Sequence, residues 1–295
     1  MNRGMRAPEA FTHLVKGNFG PGCLALPVAF ARVGPAVGSL MLIAVAFQGS
    51  YSMVLIVSIK HRLNDARVDT FADVASAAFG ASGERFAESI VLALQLGVCC
   101  VFISLVSTNL SSFLHGALSP TVCVGFIYLA CLALAMIPDI TSLAPLSTVA
   151  NVLMLMAVST AVGAAIAAMG DPQYELPEHL GPDSMGDAFL SLGALFFAYE
   201  GITLVLPVEN EFLEHPDPVP GAHPKAHFQT PLLLATTTLA LIFGAVGIVS
   251  ALAFPDIETG SVTAYLHDRD RGNIFYTSVN VFVSLAVLLT FPLQL

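Results

Sequence analysis

Charged residues are scarce in this sequence. Only 11% of the 295 residues are Asp, Glu, Lys or Arg, whereas 56% are hydrophobic. A soluble domain usually carries about 25% charged residues. The mean hydropathy is +0.79. This composition excludes a protein folded around one water-soluble core.

Several functional signals are also missing. The five cysteines lie in apolar runs without zinc-type spacing, so we predict neither a metal site nor a disulfide framework. No cofactor loop, metal-ligand cluster or catalytic pair is present, which argues against an enzyme and predicts no cofactor. The net charge of −10 gives no reason to expect a nucleic-acid partner. The polar N-terminus lacks the features of a cleavable signal peptide.

Long apolar runs make up most of the sequence. Each approaches or exceeds the ~20 residues that a membrane helix needs. The alternating polar and apolar pattern of an outer-membrane barrel is missing. The sequence therefore predicts an all-α polytopic membrane protein with a cytoplasmic N-terminus at 1–11 and a transporter domain at 12–295. Its predicted helices are 12–31, 34–59, 86–115, 120–138, 143–169, 187–210, 230–254 and 273–295.

The basic residues of the loops predict the orientation, because cytoplasmic loops carry an excess of Lys and Arg. With the N-terminus in the cytoplasm, seven basic residues face inside and three face outside. The inside set is Arg3, Arg6, Lys60, Arg62, Arg67, Arg85 and Lys225, and the outside set is Arg32, Arg269 and Arg271.

Two of the predicted helices are interrupted near their middle. The first contains three glycines, two prolines and an asparagine within Gly17–Pro27. The sixth contains Tyr199-Glu200-Gly201, an ionisable residue followed directly by a glycine. Broken helices in corresponding positions of two repeats are typical of a transport site. Their separation of five helices matches two inverted five-helix repeats.

The chemistry of a broken helix suits a zwitterionic ligand. One half-helix presents N–H groups and the positive end of its dipole, which favour a carboxylate. The other half presents carbonyl oxygens, which favour an ammonium group or a cation. Two such breaks together predict a binding site for an amino acid.

These residues resemble the first and sixth helices of the amino acid/auxin permease family, in its proton-coupled and vacuolar branch. The resemblance covers nearly the whole chain. It rests on His13–Gly22 with Leu26-Pro27, Gln95–Gly97 with Asn109-Leu110, Leu143–Ser147 with Ala150-Asn151, Tyr199–Gly201 with Leu206–Glu211, and Phe291–Leu295. It implies two inverted repeats plus an extra helix, and proton symport of small neutral amino acids across a vacuolar, lysosomal or plasma membrane.

The resemblance also implies the roles of individual residues. Its substrate-binding residues would be Asn18, Phe19, Gly20, Gly22, Tyr199, Glu200 and Gly201. His13 matches a histidine that the family associates with proton coupling, and histidine changes charge near physiological pH. Glu200 is the other coupling candidate, because a carboxyl group within a membrane is a functional-site hypothesis by default. Asn109 and Gln95 are expected to form hydrogen bonds between helices.

The number of predicted helices differs from the family pattern. The family implies about eleven helices, whereas we count eight, so the second repeat is expected to be truncated after helix 8. A non-transporting membrane protein that senses amino acids, or an inactive fragment of a transporter, is therefore the alternative. A channel is a weaker alternative, because broken helices are a feature of alternating access.

Overall fold

The protein is built from α-helices, as the sequence predicts. The computed structural model describes residues 4–65, 67–114, 117–136, 144–172, 174, 181–182, 184–214, 223–258 and 260–291. Leu143 and Pro292–Leu295, which contribute to the family resemblance, lie outside these residues. Within them, the one extended pairing is an isolated bridge between Met5 and Phe212.

Eleven helices and two short 3₁₀ turns make up the described chain. The 3₁₀ turns are Pro21–Ala25 and Ala226–Phe228. The helices are α1 (Ala7–Asn18), α2 (Leu26–Val33), α3 (Pro35–Leu63), α4 (Phe71–Phe113), α5 (Pro120–Ala135), α6 (Ala144–Met169), α7 (Met185–Ala198), α8 (Ile202–Asn210), α9 (Gln229–Ala253), α10 (Val262–Arg269) and α11 (Ile274–Thr290).

Local sequence explains where several helices begin. Ser119 caps α5 by accepting a hydrogen bond from the Val122 amide, and Pro120 occupies the first turn. Asn273 caps α11 in the same way, through the amides of Phe275 and Tyr276. These caps satisfy backbone donors that the first turn of a helix leaves without a partner.

Helix α4 begins at Phe71, well before the predicted start at residue 86. It is bent at Gly80, which has a φ of 65° and a ψ of −161° inside the helix. Only glycine adopts this conformation at low cost. Helix α10 has no counterpart among the predicted membrane spans, because it has only eight residues and a mixed polar composition.

The surface of the helices suits a lipid environment. Five helical stretches are long and apolar enough to cross a membrane, and three shorter helices are also apolar. Many large apolar side chains on these helices are exposed, including Phe47, Phe126 and Leu241. A soluble monomer rarely exposes so much apolar surface. These features agree with a polytopic membrane protein.

The described chain divides into two compact units. The first unit comprises Met1–Asn18, Leu42–Leu94 and Tyr199–Ile242, and the second comprises Phe19–Met41, Gln95–Ala198 and Phe243–Leu295. The chain therefore passes from one unit to the other at both predicted interruptions, after Asn18 and after Ala198.

Each unit has its own packing. The first contains an apolar cluster that brings Leu14 of α1 together with Met53 and Val57 of α3 and with Phe228. In the second unit, α11 packs on α6 and α2 packs on α7.

A hydrogen bond predicted between helices is present in the second unit. Asn109 of α4 donates from Nδ2 to Ser284 Oγ of α11 at 3.1 Å. Asn109 is only 2% exposed. This confirms Asn109 as an interhelical partner, a role that polar side chains often have in membrane proteins.

Candidate functional site

The first helix is interrupted as the sequence predicts. Helix α1 ends at Asn18, and the Pro21–Ala25 turn leads into α2 at Leu26. Gly20 precedes this turn with a φ of −107° and a ψ of −173°, which is extended backbone open to any residue. Proline occupies the beginning of the turn and of α2, where a missing N–H is tolerated.

The sixth predicted helix is also divided. Helix α7 ends at Ala198, and α8 begins after Gly201. The Gly201 amide donates to the Tyr199 carbonyl at 3.0 Å, which turns the chain sharply. No side chain caps the beginning of α8. The first amides of α8 therefore donate to no capping side chain. Binding of a ligand carboxylate at a broken helix requires such amides.

In the first unit, the side chain of Asn18 lies directly against Gly201. A β-carbon at Gly201 would stand 1.5 Å from Asn18 Oδ1. Asn18 is 7% exposed, and its Nδ2 donates to the Leu14 carbonyl at 2.7 Å. One packed contact thus joins the end of α1 to the beginning of α8. Position 201 requires glycine because any side chain there would overlap Asn18.

In the second unit, Gly22 makes an equally close contact. A β-carbon at Gly22 would stand 2.7 Å from the Ala198 Cα, which is backbone and cannot turn aside. Gly20 differs, because nothing lies within 4 Å of the corresponding position. Phe19 is partly buried. The close approach of the chain at 20–22 to the end of α7 therefore depends on Gly22 rather than on Gly20.

Tyr199 is held firmly within the first unit. It is 6% exposed, and its hydroxyl donates to the Thr236 carbonyl of α9. A β-carbon at Gly49 of α3 would stand 3.0 Å from the Tyr199 ring, so that glycine leaves room for the ring. Tyr199 therefore fixes the position of the residue that follows it.

That residue, Glu200, is partly buried. Among the residues that the structure describes, no hydrogen bond or ion pair engages its carboxyl group. A carboxyl group in this position can exchange a proton or accept a hydrogen bond from a ligand. His13, the other candidate for proton coupling, is exposed on α1.

A charged cluster in the first unit was not predicted as a site. Glu209, at the end of α8, is 1% exposed. Its carboxylate forms an ion pair with Lys60 Nζ at 2.8 Å and a hydrogen bond with His61 Nε2 at 3.0 Å. Lys225 Nζ donates to the carbonyl oxygens of Glu209 and Asn210 at 3.0 and 2.8 Å. This cluster joins α8 to α3 and to the segment before α9.

The cluster is not visible in the sequence because its members are far apart in the chain. The residues near Glu209 also line a cavity of about 340 Å³ in the first unit. The His223 and His61 rings stack there, 3.9 Å apart between centroids. Burial lowers the pKa of His223, and the neighbouring His61 lowers it further. The signal that the sequence offered was the position of Glu209, an acid in the second half of an interrupted apolar helix.

The sequence as a whole matches a known protein family. The profile described as transmembrane amino acid transporter protein matches residues 3–295. The chain belongs to this family. The resemblance inferred from the motifs of the first and sixth helices is thereby confirmed, and the family consists of transporters rather than enzymes.

Curated relatives of this transporter family member come from plants, fungi and animals. The amino acid transporter AVT3B of Arabidopsis thaliana is 26% identical over 301 residues, which cover 97% of this chain and 69% of the relative. The vacuolar amino acid transporter 4 of Saccharomyces cerevisiae is 26% identical over 297 residues, which cover 97% of this chain and 39% of the relative. The proton-coupled amino acid transporter-like protein pathetic of Drosophila melanogaster is 28% identical over 312 residues, with coverage of 97% and 61%.

Proposed function

We propose that this protein acts in the secondary active transport of amino acids, as a symporter of protons and small neutral amino acids that works by alternating access. The observation that carries the proposal is the interruption of both helices, each stabilised by a glycine contact. The Asn18–Gly201 contact lies in the first unit and the Gly22–Ala198 contact in the second. Membership of an amino acid transporter family supports the same function.

Backbone groups at the interruptions would bind the substrate. The first amides of α8 follow Gly201 without a capping side chain, and they suit a carboxylate. Carbonyl oxygens at the end of α1 suit an ammonium group, since the end of a helix leaves acceptors without intrahelical partners. In this proposal, Asn18, Phe19, Gly20 and Gly22 supply one segment of the site, and Tyr199, Glu200 and Gly201 the other.

Glu200 is the proposed proton carrier. Its carboxyl group is partly buried and follows the firmly held Tyr199. An acid within a membrane helix can bind a proton from one side and release it to the other when its surroundings change. His13 is the second candidate, but its exposed position on α1 gives it less control over proton access.

The proposed location is the vacuolar or lysosomal membrane, with the plasma membrane as the other candidate and the N-terminus in the cytoplasm. Two considerations support this. The yeast relative is named a vacuolar transporter and the Drosophila relative is named proton-coupled. An acidic compartment supplies the proton gradient that such a symporter uses.

Uptake into proteoliposomes tests the proposal. The purified chain is reconstituted, and entry of radiolabelled alanine is measured with and without an imposed pH gradient, with arginine and glutamate as competitors. We expect gradient-dependent uptake that neither competitor inhibits strongly. Glu200→Gln should abolish it, whereas Glu211→Gln should retain it, because Glu211 is an exposed acid after the same helix.

Other outcomes would contradict parts of the proposal. Uptake that ignores the pH gradient would exclude proton coupling. Strong inhibition by arginine or glutamate would exclude selectivity for neutral amino acids. Alanine binding without uptake would favour a sensor, and normal uptake by Glu200→Gln would remove Glu200 from the site.

A further inference from the structure

Helix α8 of the first unit is too short to fix its own position. It has nine residues, and Pro207 lies inside it. Proline lacks an N–H group, so the helix loses the hydrogen bond that residue 207 would donate one turn back. Short helices gain most of their stability from packing rather than from their own bonds. The position of α8 therefore depends on the groups that bind it from outside.

The ammonium group of Lys225 binds the last carbonyl groups of α8. Its Nζ donates to the carbonyl oxygens of Glu209 and Asn210 at 3.0 and 2.8 Å. These carbonyls end the helix, where acceptors lack partners within the helix itself. A cation there also interacts favourably with the negative end of the helix dipole. Lys225 thus caps α8 from a later part of the chain.

Lys225 is itself held in place. It is half-buried and precedes the Ala226–Phe228 turn, whose last amide donates to the Lys225 carbonyl at 2.9 Å. The Lys225 amide donates to His223 Nδ1 at 3.2 Å. Phe228 is fully buried, and the centroid of its ring lies 5.1 Å from that of Phe212, just beyond α8. The backbone that carries Lys225 is therefore anchored in the same apolar cluster as α8.

A second ammonium group binds side chains at the same end of the helix. Lys60 of α3 pairs with the Glu209 carboxylate at 2.8 Å and donates to Asn210 Oδ1. Asn210 Nδ2 donates in turn to the Asp69 carbonyl at 3.1 Å. Lys60 thus holds the side chains of α8, whereas Lys225 holds its backbone. Because a change of Lys60 would leave the buried Glu209 carboxylate without its ammonium partner, Lys225 is the better residue to test.

The opposite end of α8 carries the amides that the proposed function assigns to the substrate carboxylate. A nine-residue helix is only about 13 Å long, so a shift at one end is passed on to the other. At the first end of α8, the side chain of Asn18 packs against Gly201. Contacts at both ends therefore define where the first amides of α8 lie.

We propose that Lys225 is a positioning residue for the substrate carboxylate: it binds the last carbonyls of α8 and so sets the position of the first amides of the same helix. This inference rests on the proposed function, in which those amides bind the carboxylate. Lys225 itself touches no substrate. Its effect is therefore on the affinity for the carboxylate group and not for the rest of the amino acid.

Ligand binding by the purified chain in detergent micelles tests this role without requiring transport. Dissociation constants are measured for alanine and for alaninamide, which has the same ammonium and methyl groups but no carboxylate. In the wild-type chain, we expect alanine to bind more tightly than alaninamide. Lys225→Met keeps an aliphatic side chain and removes the ammonium group. It should weaken alanine binding about fivefold and leave alaninamide binding unchanged.

Other variants provide the controls. Lys225→Arg keeps a cationic donor for the same carbonyls and should retain alanine affinity within about twofold. Arg62→Met removes an exposed cation near the end of α3 and should change neither dissociation constant. The melting temperature of every variant is measured. If Lys225→Met does not fold, Lys225→Gln, which keeps a neutral donor, should show a smaller weakening that is again confined to alanine.

Three results would overturn the role of Lys225. The first is an unchanged alanine affinity in Lys225→Met. The second is an equal weakening of alanine and alaninamide, which would indicate a general distortion of the site. The third is the same loss of alanine affinity in Lys225→Arg as in Lys225→Met, which would show that a cationic donor at this position is not what matters.

Uptake measurements separate this inference from the proposed function. If the wild-type chain binds alanine but does not take it up, transport fails and binding alone decides the role of Lys225. If uptake is proton-dependent but Lys225→Met weakens both ligands equally, the role of Lys225 fails and transport stands. A wild-type chain that binds neither ligand would overturn both.

Discussion

Gly201→Ala tests the contact between Asn18 and Gly201. The part of the candidate site that lies in the first unit depends on this contact. The new methyl group would stand 1.5 Å from Asn18 Oδ1, so the Asn18 side chain must leave its place. The backbone itself tolerates alanine, because Gly201 has a φ of −126° and a ψ of 4°. The entire loss of stability is therefore expected to arise from the displaced Asn18 side chain.

The size of this cost follows from the contacts that Asn18 makes. Displacement breaks its 2.7 Å hydrogen bond to the Leu14 carbonyl, which contributes about 1 kcal/mol. Overpacking in a buried site adds roughly 1–3 kcal/mol. Alanine restricts the unfolded chain and returns about 0.4–1 kcal/mol. We expect a net destabilisation of about 2 kcal/mol, which lowers the melting temperature by roughly 5 °C.

Thermal unfolding in detergent micelles measures this effect, and a double-mutant cycle tests its cause. Asn18→Ala removes the obstacle, so the Asn18→Ala/Gly201→Ala double variant should be no less stable than Asn18→Ala alone. Gly193→Ala is the control, since nothing lies within 4 Å of its new β-carbon. Simple additivity of the Asn18 and Gly201 effects, or an equal loss of stability in the control, would refute the reasoning.

Two further variants are expected to lower stability. Gly22→Ala places a β-carbon 2.7 Å from the Ala198 backbone and should lower the melting temperature by several degrees, since backbone cannot rotate away. Glu209→Gln removes the charge that compensates Lys60 at 2.8 Å in a buried site and should cost about 3–5 kcal/mol, measured by chemical unfolding in micelles.

Each of these variants has a matched control in the same segment. Gly20→Ala should leave the melting temperature nearly unchanged, because no atom lies within 4 Å of the new β-carbon. Glu211→Gln changes an exposed side chain and should have little effect on unfolding. A destabilised Gly20→Ala would contradict the contact argument, and equal losses from Glu209→Gln and Glu211→Gln would contradict the burial argument.

Sequence patterns located the interruptions because each has a strong local cause. The dense glycines and prolines of Gly17–Pro27 disfavour a continuous helix, and Glu200-Gly201 places an acid beside a residue that tolerates a break. Hydropathy likewise predicted the apolar helices. It missed α10, whose eight residues are too few and too polar to resemble a membrane span.

The roles of individual residues were less predictable, because they depend on neighbours distant in the chain. Gly20 and Gly22 look equivalent in the sequence, yet only Gly22 meets another backbone. Asn18, predicted as a ligand, uses Nδ2 to bond the carbonyl of its own helix. Glu209 gave no sign of its partners on α3, which precede it by nearly 150 positions.

The sequence by itself determined that this protein is a helical membrane protein with two broken helices, and its motifs indicated the transporter family. Local composition is sufficient for these conclusions, because hydropathy, glycine and proline act over a few turns of helix. The tertiary structure alone decided that Asn18 rests on Gly201, that Glu209 is buried beside Lys60, and that Asn109 of α4 bonds Ser284 of α11. Such contacts join residues far apart in the chain, and only the packing of helices brings them together.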